Sequence, residues 1–155
     1  MKMNSEMSVL MERLAVRWPP TPSALATDTP ELEVFEDCVL LKNEFARNRH
    51  VKIPELPDKT GFECFINHVH LPFRSTKKSL VSCLSHAVAI ETALTPLAQN
   101  RQFRVIVGIS ENDSSPEFSC TIRFHQIRSG EEWVADDLEG YESEAVLVFD
   151  VPDSR

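Results

Sequence analysis

QFRVIVGIS, residues 102–110, alternates large apolar side chains with other residues over most of its length. EFSCTIRFHQI, residues 117–127, repeats this alternation. A period of two predicts a β-strand with one buried face, and the intervening ENDSSP, residues 111–116, is rich in turn-forming residues. The two strands are therefore expected to pair as an antiparallel hairpin. The residues expected on the buried faces are Phe103, Val105, Val107, Ile109, Phe118, Cys120, Ile122 and Phe124.

Two further strands and a long helix are predicted around this hairpin. EAVLVFDV, residues 144–151, predicts a final strand, and FECFINHVHL, residues 62–71, predicts a strand that follows a turn at residues 59–61. Residues 76–94 carry apolar residues at helical spacing, with Ser75 as the expected N-cap and Pro96 beyond the last turn. The expected buried stripe of this helix is Leu80, Leu84, Ala87, Val88 and Leu94.

The N-terminal residues 5–17 also predict a helix, because apolar side chains recur there at steps of three and four. Pro19 and Pro20 cannot continue it. The apolar face would consist of Met7, Leu10, Met11 and Leu14.

Residues 31–47 are interpreted as a second helix. Thr29 suits an N-cap, Pro30 suits the first helical position, and acidic residues follow in the first turn. Strict alternation fails at residues 39–41, which are all apolar. The alternative is a hairpin that turns at Glu36 and Asp37.

The order of these elements predicts an α+β fold: a mostly antiparallel sheet of about four strands with a long helix packed on one face, plus N-terminal helices. A chain of 155 residues is long enough to bury one core. The expected organisation is an N-terminal helix at residues 1–18, a proline-rich linker at residues 19–30, and a single α+β domain at residues 31–155.

The net charge of −8 is concentrated in one place. EEWVADDLEGYESE, residues 131–144 and hereafter the acidic segment, contains seven carboxylates and no Lys or Arg. Of the 24 acidic residues, 17 lie outside it, against 16 Lys and Arg, so the rest of the chain carries only about −1. The simplest interpretation of such a run is a solvated loop.

Aromatic residues within the acidic segment favour a binding surface over a merely solvated loop, because Trp and Tyr anchor protein interfaces while surrounding charges steer encounter. The predicted function is therefore a small protein-binding inhibitor of the immunity type, not an enzyme, which occludes a basic partner such as a nuclease toxin. The expected partner-binding residues are Glu131, Glu132, Trp133, Asp136, Asp137, Glu139, Tyr141 and Glu142.

Several other classes are not expected. An acidic protein with only small basic groups is a poor direct ligand for nucleic acid. No stretch approaches 18 consecutive apolar residues, and the N-terminus does not resemble a secretory signal, so neither membrane insertion nor export is expected. Cys38, Cys64, Cys83 and Cys120 lack close spacing and are interpreted as buried thiols in a reducing cytoplasm.

Two alternatives stay open. On a strand, His68 and His70 would project from one face about 7 Å apart, with Cys64 on the same face. They are the candidate ligands of a metal such as zinc, and hence of a metal-binding protein or metal-dependent hydrolase, although no further ligand stands at a recognisable spacing. The other alternative is an adaptor subunit that binds through the N-terminal helix.

Otherwise no cofactor is expected, since no nucleotide or catalytic signature occurs. A nucleophile at Cys83 activated by His86 is disfavoured by the apolar neighbours of that cysteine.

Overall fold

The two alternating stretches form neighbouring strands near the middle of a five-stranded antiparallel sheet. A computed structural model describes residues 1–20, 28–111 and 118–152. The paired strands run from Phe103 opposite Gln126 to Ser110 opposite Ser119, which confirms the predicted antiparallel pairing. The predicted turn between them falls mainly outside the described residues, as does most of the expected linker at residues 19–30.

The fold is α+β. In chain order the elements are β1 Lys2–Met3, α1 Ser5–Arg13, β2 Leu32–Phe35, β3 Cys38–Leu41, α2 Lys42–Arg47, α3 Lys59–Ile66, β4 His68–Phe73, α4 Lys77–Leu94, β5 Phe103–Ser110, β6 Phe118–Gln126 and β7 Ala145–Val151. The main sheet has the order β1-β7-β5-β6-β4, and β2 and β3 form a separate two-stranded hairpin. The main sheet has one strand more than expected, the two-residue β1, which extends its edge beside β7.

The two faces of the sheet differ in composition because side chains alternate along each strand. One face, the inner face, carries rows of apolar residues. These rows pack against α1 and α4 and together with them form the main core. The other, the outer face, carries a row of Val148, Ile106, Arg123 and His68, and beside it a row of Val146, Gly108, Thr121 and His70.

Helix α4 covers the inner face. Thr76, rather than the expected Ser75, caps it, since the Thr76 side chain accepts a hydrogen bond from the Ser79 amide at 3.2 Å. Residues 77–97 are long and apolar enough to cross a membrane, but a core helix meets the same criteria. The buried stripe here packs into the main core: of its predicted members, Leu80, Leu84, Ala87 and Leu94 are buried, whereas Val88 is only partly buried.

Helix α1 also packs into the main core, where Met7, Leu10 and Met11 are buried. It ends at Arg13, four residues earlier than expected. The apolar face that an adaptor subunit would use is therefore occupied by the rest of this chain.

The expected second helix at residues 31–47 is wrong for residues 31–41, because residues 32–41 form the alternative hairpin of β2 and β3 and only Lys42–Arg47 is helical. Glu36 and Asp37 make the turn with φ angles of 48° and 68°. Positive φ at both central residues belongs to the tight turn whose twist matches a hairpin. All four residues of β3 are buried, which explains why residues 39–41 are all apolar and do not alternate.

The strand predicted at residues 62–71 is also wrong in its first half, because Lys59–Ile66 form α3 and the strand begins only at His68. The Asp58 carboxylate caps α3 by accepting a hydrogen bond from the Gly61 amide at 2.6 Å. The expected turn at residues 59–61 is the first turn of this helix. Cys64 is buried on α3 and does not share a strand face with the two histidines.

Glu63 of α3 and Asn67, the residue that directly follows this helix, join the β2–β3 hairpin to the sheet. Glu63, with no exposed surface, accepts hydrogen bonds from the backbone amides of Val39 at 2.8 Å and Gln126 at 2.7 Å. Its carboxylate also pairs with both terminal nitrogens of Arg128, at 2.7 and 3.1 Å. Asn67 accepts from the Leu41 amide and donates to the carbonyls of Val39 and Phe124.

Replacing Glu63 with Ala is expected to lower the free energy of unfolding by about 3–5 kcal/mol, because it leaves two backbone amides without their acceptor and the Arg128 guanidinium without its carboxylate partner. Urea unfolding followed by circular dichroism measures the change. The control is Glu44→Ala, which removes a surface ion pair with Arg47 and should cost less than about 1 kcal/mol. Equal effects of the two substitutions would contradict a central role for Glu63.

Candidate functional site

The acidic segment lies across the outer face of the sheet, held by its apolar residues. Val134 and Leu138 are buried against Ile106, Val146 and Val148, and the half-buried Tyr141 packs beside them. The segment is therefore attached to the sheet and is not a loop surrounded by solvent.

Asn4 fastens the far end of the acidic segment to α1 and β7. Its side-chain amide donates hydrogen bonds to the carbonyls of Tyr141 at 3.2 Å and Glu144 at 2.7 Å. Its side-chain oxygen accepts from the amides of Met7, as the N-cap of α1, and Val146. A single buried residue thus fixes the relative positions of the segment, the first helix and the last strand.

Three of the seven carboxylates in the acidic segment hold backbone amides of this chain. Glu131 accepts a hydrogen bond from the Thr60 amide at 2.9 Å, at the start of α3. Burial opposes ionisation of Glu131, but this hydrogen bond and the nearby charges of Arg128 and Lys59 lower its pKa. Glu139 accepts from the Ser5 amide at the start of α1, and Asp137 accepts from the Glu139 amide.

The other acids differ in their exposure. Glu132 and Glu142 are exposed, and neither has a polar side-chain partner within the described part of the chain. Asp136 lies 3.7 Å from the Lys2 ammonium, but both side chains are well exposed, so this ion pair is weak. Three of the predicted partner-binding acids, Glu132, Asp136 and Glu142, therefore carry charge that remains available to solvent.

A cleft of about 230 Å³ lies between the acidic segment and the strands of the outer face. Its strand residues come from β5, β6 and β7, and its other wall comes from the segment. The lining residues are Ile106, Gly108, Thr121, Arg123, Trp133, Val134, Tyr141, Glu144 and Val146. It unites a cation, an anion, two aromatic rings and a hydroxyl within one concave surface.

Arg123 provides the positive charge of the cleft. One terminal nitrogen of its guanidinium lies 3.2 Å from Nε2 of His68, and the guanidinium carbon lies 6.0 Å from the centre of the Trp133 ring. Among the residues that the structure describes, no carboxylate lies within ion-pair distance of Arg123. The contacts with His68 and Trp133 orient this cation without neutralising it.

Glu144 provides the negative charge. Its side chain lies directly over Gly108, so that a Cβ atom at position 108 would overlap with Oε1 of Glu144. A glycine inside a strand weakens the strand and marks a place where another group approaches closely. The Glu144 carboxylate has no hydrogen-bond or ion-pair partner in the described ranges.

His68 and His70 lie next to the cleft on β4, with their ring centres 4.1 Å apart. His70 faces the Thr121 hydroxyl at 3.4 Å. Burial, the charge of Arg123 and the neighbouring His70 together lower the pKa of His68 to about 4. Within the described residues, no group of three or more His, Cys, Asp or Glu side chains could hold a metal ion.

The four cysteines are free and buried, as expected. Cys83 on α4 packs toward Cys120 on β6 within the main core, and the contact with Cys83 together with burial raises the pKa of the Cys120 thiol. His86 contacts the carbonyl of Ser82 at 2.9 Å and is not bonded to Cys83. The contact with Cys120 lowers the pKa of the Cys83 thiol, but this thiol is buried and His86 does not activate it.

The family model described as "Uncharacterized protein PM0498 family" matches residues 2–155. The chain belongs to the PM0498 family. No curated protein and no solved structure matches it. The membership covers almost the whole chain, so the acidic segment and the cleft both lie within the region that defines the family.

Sequence reasoning located the acidic segment but missed the cleft beside it. Gly108, an isolated glycine within a strongly alternating strand, was the available signal. Arg123 occupies an outward position on a strand, where a charged residue is ordinary. Only the sheet register, which places Arg123 beside His68 and Gly108 beside Thr121, assembles the group.

Acid should destabilise the protein partly through His68. The unfolded chain binds a proton at His68 near pH 6.5, whereas the folded chain does so only near pH 4, so stability falls as the pH drops through this window. In urea unfolding at pH 7 and pH 5, His68→Asn should show a smaller loss of stability than the unmodified protein. His125, whose pKa burial also lowers, should retain part of the effect.

The control for this comparison is His50→Asn, because His50 is exposed to solvent. It should preserve the difference between pH 7 and pH 5. An unaltered difference in His68→Asn would show that proton binding at His68 does not contribute to acid destabilisation.

Proposed function

We propose that the protein is a small, acidic, cytoplasmic inhibitor of the immunity type, which binds a basic protein and occludes its functional surface. The observation that carries the proposal is the exposure of Trp133, 43% of whose surface faces solvent while its neighbours Val134 and Leu138 are buried. An exposed Trp on a fixed segment is suited to anchor an interface.

A second exposed aromatic residue, Phe65, is placed by the helical repeat on the side of α3 that faces Trp133. Phe65 is 46% exposed and lies one helical turn after Gly61 on α3. A Cβ atom on Gly61 would lie 3.9 Å from the Trp133 ring, which places the ring against the same side of the helix. Together, Trp133 and Phe65 form the exposed aromatic patch.

Negative charge beside the exposed aromatic patch selects the partner. Glu132, Asp136 and Glu142 are exposed acids of the same segment, and their potential would attract a basic surface and raise the association rate. Glu131, Asp137 and Glu139 serve chiefly to fix the segment, so they contribute to recognition by positioning it. Fixing the segment before binding lowers the ordering cost of association.

The four free cysteines support the cytoplasmic part of the proposal, since buried thiols remain unpaired in a reducing compartment. The expected partner is a basic protein such as a nuclease toxin, because an enzyme that handles nucleic acid presents a cationic cleft. The rigid acidic surface would cover such a cleft and exclude its substrate.

The test begins with affinity capture from native cells, followed by association kinetics with the captured protein after purification. Glu132→Gln combined with Glu142→Gln should lower the association rate constant several-fold at low salt and weaken its salt dependence. Stability should change little, since neither carboxylate holds another part of the chain. Trp133→Ala should mainly raise the dissociation rate constant.

Glu12→Gln combined with Glu36→Gln is the matched control, because it removes two exposed charges outside the acidic segment. If this control slows association as strongly, net charge rather than the segment attracts the partner. If the captured proteins are all acidic or neutral and their binding does not respond to salt, the proposal is wrong.

A further inference from the structure

The cleft on the outer face holds two opposite charges that do not neutralise each other. Arg123 and Glu144 both line it, yet no ion pair joins them, and neither has an oppositely charged partner elsewhere in the described residues. Each is only partly exposed. Charges that lose hydration without gaining a partner cost free energy, so such an arrangement calls for a ligand that pairs with both.

Each charge is held in position by a specific feature of the sheet. The missing side chain of Gly108 lets Glu144 lie down over β5, and the contact with His68 orients the Arg123 guanidinium. His68 can accept that hydrogen bond because its imidazole is neutral at physiological pH. The site is therefore formed before any ligand arrives.

The wall between the two charges is mainly apolar. Ile106, Val134 and Val146 lie along it with the rings of Trp133 and Tyr141, and Thr121 adds a hydroxyl. The space of about 230 Å³ is below the usual range for drug-sized ligands and suits a compound of amino-acid size.

We propose that this cleft binds a small zwitterion, whose carboxylate pairs with Arg123 and whose ammonium group pairs with Glu144 while its carbon chain contacts the aromatic wall. Arg123 and Gly108 belong to adjacent rows of the outer face, and residues two apart on a strand are separated by about 7 Å. Because no ion pair joins Arg123 and Glu144, a ligand that pairs with both needs its own charges separated by a carbon chain, as in an ω-amino acid. This inference does not rest on the proposed inhibitor function.

The experiment is calorimetric titration of the purified full chain with a length series: glycine, β-alanine, 4-aminobutyrate, 5-aminopentanoate and 6-aminohexanoate. One of the longer members should bind best. Replacing that member by the alkylamine or the alkanoate of equal length should weaken binding about tenfold or more, since each deletes one charge-assisted contact. Absence of binding across the series at millimolar concentration would overturn the proposal, as would equal binding of the amine or the alkanoate.

Variants connect the binding to these residues. Arg123→Gln and Glu144→Gln should each weaken the best member about tenfold or more, whereas Glu142→Gln, two residues away and outside the cleft, should leave it unchanged. Gly108→Ala changes the cleft without replacing either charged residue. Its methyl group displaces the flexible Glu144 side chain and should weaken binding while the fold is retained. Circular dichroism checks that each variant folds. Arg123→Lys keeps the positive charge, so its comparison with Arg123→Gln separates the effect of losing the charge from the effect of changing the structure. Binding that survives both charge-removing substitutions would place the ligand elsewhere.

Discussion

The buried carboxylate of Glu63 is the constraint on which the arrangement of this protein depends. A carboxylate without solvent contact is tolerable only if donors surround it, and here two backbone amides and the Arg128 guanidinium do so. These donors come from the β2–β3 hairpin, from the end of β6 and from the residues that follow it. Glu63 therefore fixes α3 against the sheet, and α3 in turn provides the amide that holds Glu131.

Acidic residues in this chain have two roles that their sequence does not distinguish. Glu131 and Glu139 satisfy free amides at the starts of α3 and α1, where the helix dipole also favours a negative charge. The acidic segment thereby gains two attachment points from the same residues that make it acidic. Its remaining exposed charges lie on a support that is already ordered.

Period-two alternation was enough to predict β5 and β6, and helical spacing was enough to predict α1 and α4, because one face of each carries a regular apolar pattern. A local pattern was not enough for β3, which is apolar throughout, or for α3, most of whose residues are buried. The decisive residues there, Glu63 and Asn67, have partners up to 65 positions away. Such partners cannot be read from a local pattern.

The contrast between Glu142 and Glu144 shows why the candidate site could be predicted only in part. Two positions apart in one acidic run, they carry the same group, but Glu142 faces solvent while Glu144 lies over Gly108 inside a cleft. The difference arises from the absence of a Cβ atom on a neighbouring strand 36 residues earlier. Composition therefore identifies a charged surface, while the pairing of strands decides which of its charges face solvent and which line the cleft. For this reason the two binding proposals can be separated by single substitutions despite their shared segment.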